Sequence, residues 1–270
     1  MGTNDTTTKA TNHSATRVQS VSEEHIRNCV DFQRLRTLVG PTRLGLQKDL
    51  DPYAYMHIVD GLQRFYANRY AWVTMPGIIA KHLAFTVFVP GGRADKAREA
   101  VDLMDVAGYF QAPYDTPEDE ARKIISTRVR FPNQKAKRFF EALAQFDRIR
   151  DNLPTISGYL NRRDWLENNV GGFGPKAATH FMRNTGLMHY SDGLPIIDVH
   201  INKVLKELNF QHDTYATASE SFQRLSELID VPVLLTDAIL WCAYADNWDT
   251  TGADFDNFGI HVQLDNQEGQ

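Results

Sequence analysis

With 270 residues, 42% apolar content and a net charge of −5, the chain can bury one large core or two smaller ones sharing a cleft. Its composition is that of a soluble globular protein. No stretch approaches the ~18 consecutive apolar residues of a membrane span and no signal-peptide core opens the chain, so an intracellular protein without a membrane partner is expected. Two cysteines, Cys29 and Cys242, exclude a disulfide framework, a four-cysteine zinc site and a four-cysteine iron–sulfur cluster.

Residues 1–20 are Thr-, Ser- and Asn-rich with almost no apolar content, which predicts a disordered tail. Amphipathic helices are expected over Val21 to Asp31 and Leu62 to Tyr70. The nearly continuous apolar run Ile78 to Val89 permits a strand through its β-branched residues. A buried helix fits its helical neighbours better. Pro90-Gly91-Gly92 breaks that pattern, and Arg93 to Met104 resumes at helical spacing. Thr116-Pro117-Glu118-Asp119 reads as a helix start, with Thr116 as cap, Pro117 in the first turn and two acids complementing the dipole.

Phe131-Pro132-Asn133 marks another stop, after which a helix is expected over Lys135 to Ile149. Between Ala121 and Arg150 nine basic residues face only Glu141 and Asp147, a local excess of seven positive charges. A solvated helix face accounts for that excess as readily as a phosphate-binding surface does, and the negative total charge is a weak guide to either. Later helices are expected over Ser157 to Val170, Pro175 to Asn184, His200 to Leu208, Ser219 to Leu228 and Pro232 to Asn247. No repeat and no alternating strand series is present. The fold class is all-α. The expected organisation is a tail (1–20), an N-terminal helical region (21–150), a catalytic region with C-terminal helices (151–262) and a flexible end (263–270).

The chemistry concentrates in Val170-Gly171-Gly172-Phe173-Gly174-Pro175-Lys176-Ala177-Ala178. A helix ends, a glycine-rich turn follows and a new helix opens at Pro175. In Gly172-Phe173-Gly174 the aromatic side chain can anchor inward while bare backbone faces out, and exposed amides beside a helix N-terminus suit a phosphate. A tight turn between packed helices would show the same glycines. Lys176 adds a reactive group: a helix N-terminus and partial burial would both disfavour its ammonium form, lowering its pKa from about 10.4 toward a nucleophilic amine. Asp198 follows two isoleucines and precedes a helix, where it can enter a partly buried cleft, cap the helix, or do both.

Gly-Phe-Gly-Pro-Lys-Ala-Ala, followed 22 residues after the lysine by Ile-Asp-Val-His, resembles the helix-hairpin-helix DNA glycosylases. It is most similar to the compact archaeal and bacterial branch acting on 8-oxoguanine. Arg130 to Ala136, Lys176 to Asn184 and Leu240 to Tyr244 support the likeness, which spans roughly Ile78 to Trp248. The resemblance implies two helical subdomains flanking a DNA-binding cleft. It implies Lys176 as the amine that attacks C1′ of the damaged nucleotide and Asp198 as the carboxylate stabilising the departing base. The expected activity is a bifunctional glycosylase and abasic-site lyase on duplex DNA containing oxidised guanine or abasic sites, acting as a monomer. Gly172, Phe173, Gly174 and His200 would contact the DNA backbone.

A flipped-base pocket is implied as well. His180, one turn beyond Lys176, would pack against the base or simply within the hairpin. Arg93, in the Pro90–Arg93 loop, would fill the gap left by the flipped base or contact its former partner. Trp241 and Trp248, with Phe255, offer stacking surfaces, although aromatic residues on helices more often belong to a core. No cofactor and no side-chain metal site are expected, while the hairpin carbonyls offer a site for a monovalent cation. The same chemistry on another lesion, or a non-catalytic hairpin module, would show the same motifs.

Overall fold

A computed structural model describes residues 76–111, 117–188, 193–229, 232–234, 236–237 and 240–241. The expected helices at 21–31 and 62–70, the tails, Trp248 and Phe255 lie outside them. Among the described residues every regular element is helical. The first helix, α1 (Pro76–Phe88), settles the ambiguous apolar run: it is a helix buried along nearly its whole length. A helix that is apolar on all sides must be central, and α1 packs against four others. Gly77 permits one close approach, because a Cβ there would stand 2.9 Å from the Phe110 carbonyl oxygen.

The Pro90–Gly92 turn leads into α2 (Ala94–Val106). Helix α3 (Glu118–Ser126) differs from expectation at its start. Pro117 holds the cap position, no side chain caps the helix, and Glu118, Asp119 and Glu120 in the first turn complement the dipole. Thr116 lies outside the described residues.

The single helix expected over Lys135 to Ile149 is two, α4 (Pro132–Leu143) and α5 (Phe146–Asn152). Gln145 leaves helical geometry at φ −111° and ψ 18°, and its side-chain amide donates to the Asn169 carbonyl at 2.9 Å. The apolar spacing continues through the break because Phe146 and Ile149 are re-aimed into the same core. Lys135 is buried, with Nζ donating to the Phe88 carbonyl at the end of α1. Burial, then Arg130 and Arg138, brings its pKa down to about 8.

Helices α6 (Tyr159–Asn169) and α7 (Pro175–Asn184) form the hairpin pair, followed by α8 (Val199–Glu207) and α9 (Tyr215–Ile229). Helix α9 starts four residues before the expected Ser219. The Thr214 hydroxyl accepts the Thr217 N–H at 3.1 Å and the Thr217 hydroxyl accepts the Thr214 N–H at 3.0 Å, a reciprocal cap that propensity alone does not reveal. Residues 233, 234, 236, 237, 240 and 241 are helical as well.

Two hydrophobic cores result. The larger runs from Ile79 to Leu194, crossing residue 150, and takes in Leu234. The smaller joins Ile197, α8, Phe210, α9 and Leu240. No helix of the described residues is long and apolar enough to cross a membrane.

Candidate active site

The hairpin follows from local rules. Helix α6 ends at Asn169, and Gly172 reverses the chain at φ +85°, a region where a side chain is disfavoured. Phe173 is buried and meets Phe181 edge-on at 5.8 Å, while Gly171 and Gly172 are exposed. This is the expected arrangement of inward anchor and outward backbone. Gly174 then caps α7 with Pro175 at the first position. Proline lacks the N–H that would be unpaired there, and the remaining first-turn amides are free of intrahelical acceptors.

Only part of the basic stretch serves this hairpin. Arg122 pairs with Glu118, Arg128 with Glu99, and Arg150 with Asp147 and Asp151, so Glu118, Glu99 and Asp151 from outside the stretch offset part of its charge. The Arg138 side chain lies against Gly172, 2.6 Å from where a Cβ would be. Gly172→Ala therefore meets both a left-handed backbone and the Arg138 chain. A loss of about 1–2 kcal/mol of stability is expected from the backbone alone. Thermal melting and duplex affinity should both fall, and an unchanged melting curve would contradict the close packing.

Lys176, in the first turn of α7, is exposed rather than partly buried as the sequence suggested. It opens onto a pocket of about 360 Å³ whose walls come from the end of α1, the Pro90–Gly92 turn, α7, residues 196–200 and residues 237 and 241. Asp198 lines the same pocket and caps α8: Oδ1 accepts the N–H groups of His200 and Ile201 at 2.8 and 3.0 Å. Its other oxygen, Oδ2, accepts the Trp241 indole N–H at 3.0 Å. Capping and placement in the pocket thus coincide, and both oxygens are held.

His180 and His200 also line the pocket. His180 is bonded through Nε2 to the Asn184 side chain at 3.1 Å and meets Phe85 edge-on. Burial, then Arg183 and Lys176, holds its ring well below the usual imidazole range, leaving a neutral, flat surface. His200 stands edge-on to Trp241 at 6.2 Å. Trp241 packs partly buried against the larger core while its N–H serves Asp198, so this aromatic is both core and site. Arg93 is not brought into the pocket. It is exposed beside the rim and paired with Asp95 at 2.7 Å. Trp248 falls outside the described residues. No group of three or more His, Cys, Asp or Glu residues able to hold a metal ion occurs among the described residues.

Two features had escaped the sequence reading. Asp237 lines the pocket although only 2% exposed; its one local signal was an acid set in an otherwise apolar helix. Burial, opposed by Arg183 and reinforced by Asp198, pushes its carboxyl up to about 7. The folded protein holds that proton up to about pH 7, whereas an ordinary carboxyl releases it near 3.8. The stability it contributes is whole below the ordinary value and is lost as pH rises through 7. Melting temperature should therefore fall between pH 5 and 8 by several degrees more than in Asp237→Asn, on the order expected for ~1–2 kcal/mol in a domain of this size; parallel melting profiles would refute the buried proton.

The second feature is Phe131. It is 64% exposed and sits in left-handed backbone at φ 58°, next to Arg130, whose Nη1 donates to the Gly91 carbonyl of the pocket turn at 3.3 Å. An aromatic residue immediately before a proline, otherwise read as a helix stop, was its only trace in the sequence.

Residues 77–229 match the family model Ogg-HhH, described as 8-oxoguanine DNA glycosylase. The 8-oxoguanine DNA glycosylase/AP lyase of Fusobacterium nucleatum is 24% identical over 172 residues, covering 59% of this chain and 76% of that protein. The protein of the same description from Korarchaeum cryptofilum is 35% identical over 88 residues, covering 33% and 40%. Among solved structures, the Methanocaldococcus jannaschii 8-oxoguanine glycosylase/lyase in complex with a 15mer DNA containing 8-oxoguanine aligns with a TM-score of 0.59 at 20% identity. That alignment covers 70% of this chain and 89% of that one. The Thermotoga maritima 8-oxoguanine DNA glycosylase aligns with a TM-score of 0.60 at 19% identity, covering 78% and 95%. At such identities the structural likeness is one of fold.

Proposed function

The chain belongs to the 8-oxoguanine DNA glycosylase family, and on that premise we propose that it excises 8-oxoguanine from duplex DNA and then nicks the strand as an abasic-site lyase. The curated relatives carry both activities in their names, and one structural neighbour holds DNA containing the lesion. The observation that carries the reading to particular residues is the shared pocket of Lys176 and Asp198.

In this reading the hairpin amides and His200 grip the backbone, and the damaged nucleotide is extruded into the pocket. Lys176 Nζ, having given up its proton, attacks C1′ as the bond from C1′ to the base nitrogen breaks, and the base leaves with the electron pair and is then protonated. Asp198 stabilises the positive charge that develops on the sugar. Opening of the sugar ring leaves a Schiff base between Lys176 and C1′. Removal of a C2′ proton then expels the 3′ phosphate by β-elimination. The amine, the carboxylate and water complete this sequence without a cofactor, so excision should survive chelation by EDTA. Its substrate, cellular DNA, places the enzyme inside the cell, and its expected working form is a monomer.

Phe131 fits the gap that extrusion opens, because an exposed apolar wedge can replace a lost stacking partner. Phe131→Gly should relieve left-handed strain of about 1 kcal/mol while slowing excision from duplex by about a hundredfold, the scale of a few kcal/mol of lost unstacking energy. A variant that is less stable and fully active would contradict this role. The substrate itself is tested with a panel of duplexes carrying 8-oxoguanine, other oxidised bases or an abasic site, under single turnover with borohydride. Release and trapping fastest on 8-oxoguanine are expected. A faster rate on another lesion would move the assignment there, and binding without release or trapping would leave only a DNA-binding module.

A further inference from the structure

The proposed reaction uses part of the pocket lining and leaves one wall without a task. Lys176 comes from α7 and Asp198 from the segment before α8, and both act at the sugar. The end of α1 and the turn after it contribute Phe85, Val89, Pro90, Gly91 and Gly92 to the same pocket. None of these carries a group that chemistry at C1′ needs, so this wall is left to meet the extruded base.

The wall has little of its own to hold it. Pro90, Gly91 and Gly92 are exposed, and Gly91 stands at φ +70°, in the region that glycine tolerates best. Inside the turn the Gly92 N–H donates to the Val89 carbonyl at 2.9 Å. Further holds come from the segment that opens α4. Lys135 Nζ donates to the Phe88 carbonyl, and Arg130 Nη1 donates to the Gly91 carbonyl at 3.3 Å. The two donors bracket the turn, and Phe131 lies between them in the chain.

Helix capping does not by itself account for Lys135. Water can satisfy the last carbonyls of a helix whose end is exposed, and this end adjoins an exposed turn. Lys135 is instead only 4% exposed, and an amine taken out of water is costly unless it is bonded. Arg130 and Arg138 add their repulsion to that cost. Methionine would fill the space of the stem without it. What methionine could not supply is a fixed donor for the Phe88 carbonyl, the point at which the chain leaves α1 for the pocket.

We propose that Lys135 is a positioning residue that fixes the base-facing wall of the pocket by anchoring the end of α1 to the start of α4. Lys135 does not line the pocket itself. It acts through the Phe88 carbonyl, with Arg130 as a weaker outer hold. The kinetic consequence rests on the glycosylase/lyase reading above, while the anchor itself does not need that reading.

The test compares Lys135→Met with the unaltered protein on two duplexes, under single turnover and with the protein saturating. One duplex carries 8-oxoguanine, and the other a preformed abasic site, which has no base to meet the wall. Base release should fall about a hundredfold in Lys135→Met, the cost of a misplacement of about 1 Å. Borohydride trapping on the abasic duplex should be little changed, because Lys176 and Asp198 keep their places. Amide hydrogen exchange at Val89 and Gly92 should quicken. Arg130→Ala, at an exposed position, should show the same inequality between the substrates at smaller size.

Equal losses on the two duplexes would reduce Lys135 to a contributor to general stability and overturn the proposal. Full base release in Lys135→Met, or unaltered exchange at Val89 and Gly92, would overturn it too. Should Lys135→Met fail to fold, Arg130→Ala decides, and an unchanged ratio of release to trapping then counts against the anchor. If the unaltered protein releases no base and traps no abasic DNA, the glycosylase/lyase reading fails instead, and the exchange measurement alone decides.

Discussion

Lys176→Gln is expected to abolish borohydride trapping on both 8-oxoguanine and abasic duplex, and to reduce base release by roughly 10³-fold or more, as loss of a covalent nucleophile does elsewhere. Two structural facts make the variant a clean one. Lys176 is exposed at the pocket, so its replacement should change stability by no more than about 0.5 kcal/mol. It also stands just beyond the cap, and α7 keeps Gly174, Pro175 and its helical frame. Duplex affinity should survive with a salt dependence shallower by at most about one charge. A variant that still forms a borohydride adduct would transfer the nucleophile to another amine and end the assignment of Lys176.

The second large effect belongs to Asp198. Asp198→Asn should slow base release by about 10²–10³-fold, the scale of one lost electrostatic contact to a developing charge. The helix cap should survive, because asparagine caps as well as aspartate and its oxygen can still accept from His200 and Ile201, so any fall in melting should come from the indole contact alone. The loss is sharpened by Trp241. Both oxygens of Asp198 are engaged, one by the helix amides and one by the indole N–H. With the oxygen of asparagine committed to the cap, its NH₂ meets that indole donor and no acceptor remains there. Trapping on preformed abasic DNA should suffer less than excision of 8-oxoguanine, since no base remains to depart. Equal losses on the two substrates would mean that Asp198 acts on the Schiff-base step instead. Full activity would remove it from the mechanism.

These two residues were legible from the chain because their signals are local. A Gly-Phe-Gly-Pro run states a reversal, an anchor and a helix start within five residues, and places the following lysine in a first turn wherever the helix packs. Aspartate before a helix announces a cap by the same short-range geometry. The apolar run at 78–89 was readable once its length and its neighbours were weighed, and α1 is indeed the central helix.

What failed lay beyond the reach of local signals. The break at Gln145 is made by a bond to Asn169, 24 residues away, and the apolar spacing gives no sign of it. Partial burial is expected of Lys176 in the first turn of its helix, yet its own side chain leaves the core on the pocket side.

By itself, then, the amino-acid order determined an all-helical chain, the hairpin, the amine and the carboxylate, since caps, turns and periodicity are set by residues within one or two turns of each other. Only the tertiary structure decided that the amine and the carboxylate open onto one pocket, that Trp241 holds Asp198 across 43 positions of chain, that Arg138 covers Gly172, and that Asp237 lies buried in the pocket wall. Those pairings arise from how two cores close on a cleft, and burial and ion pairing across such separations depend on packing that no short window of sequence contains.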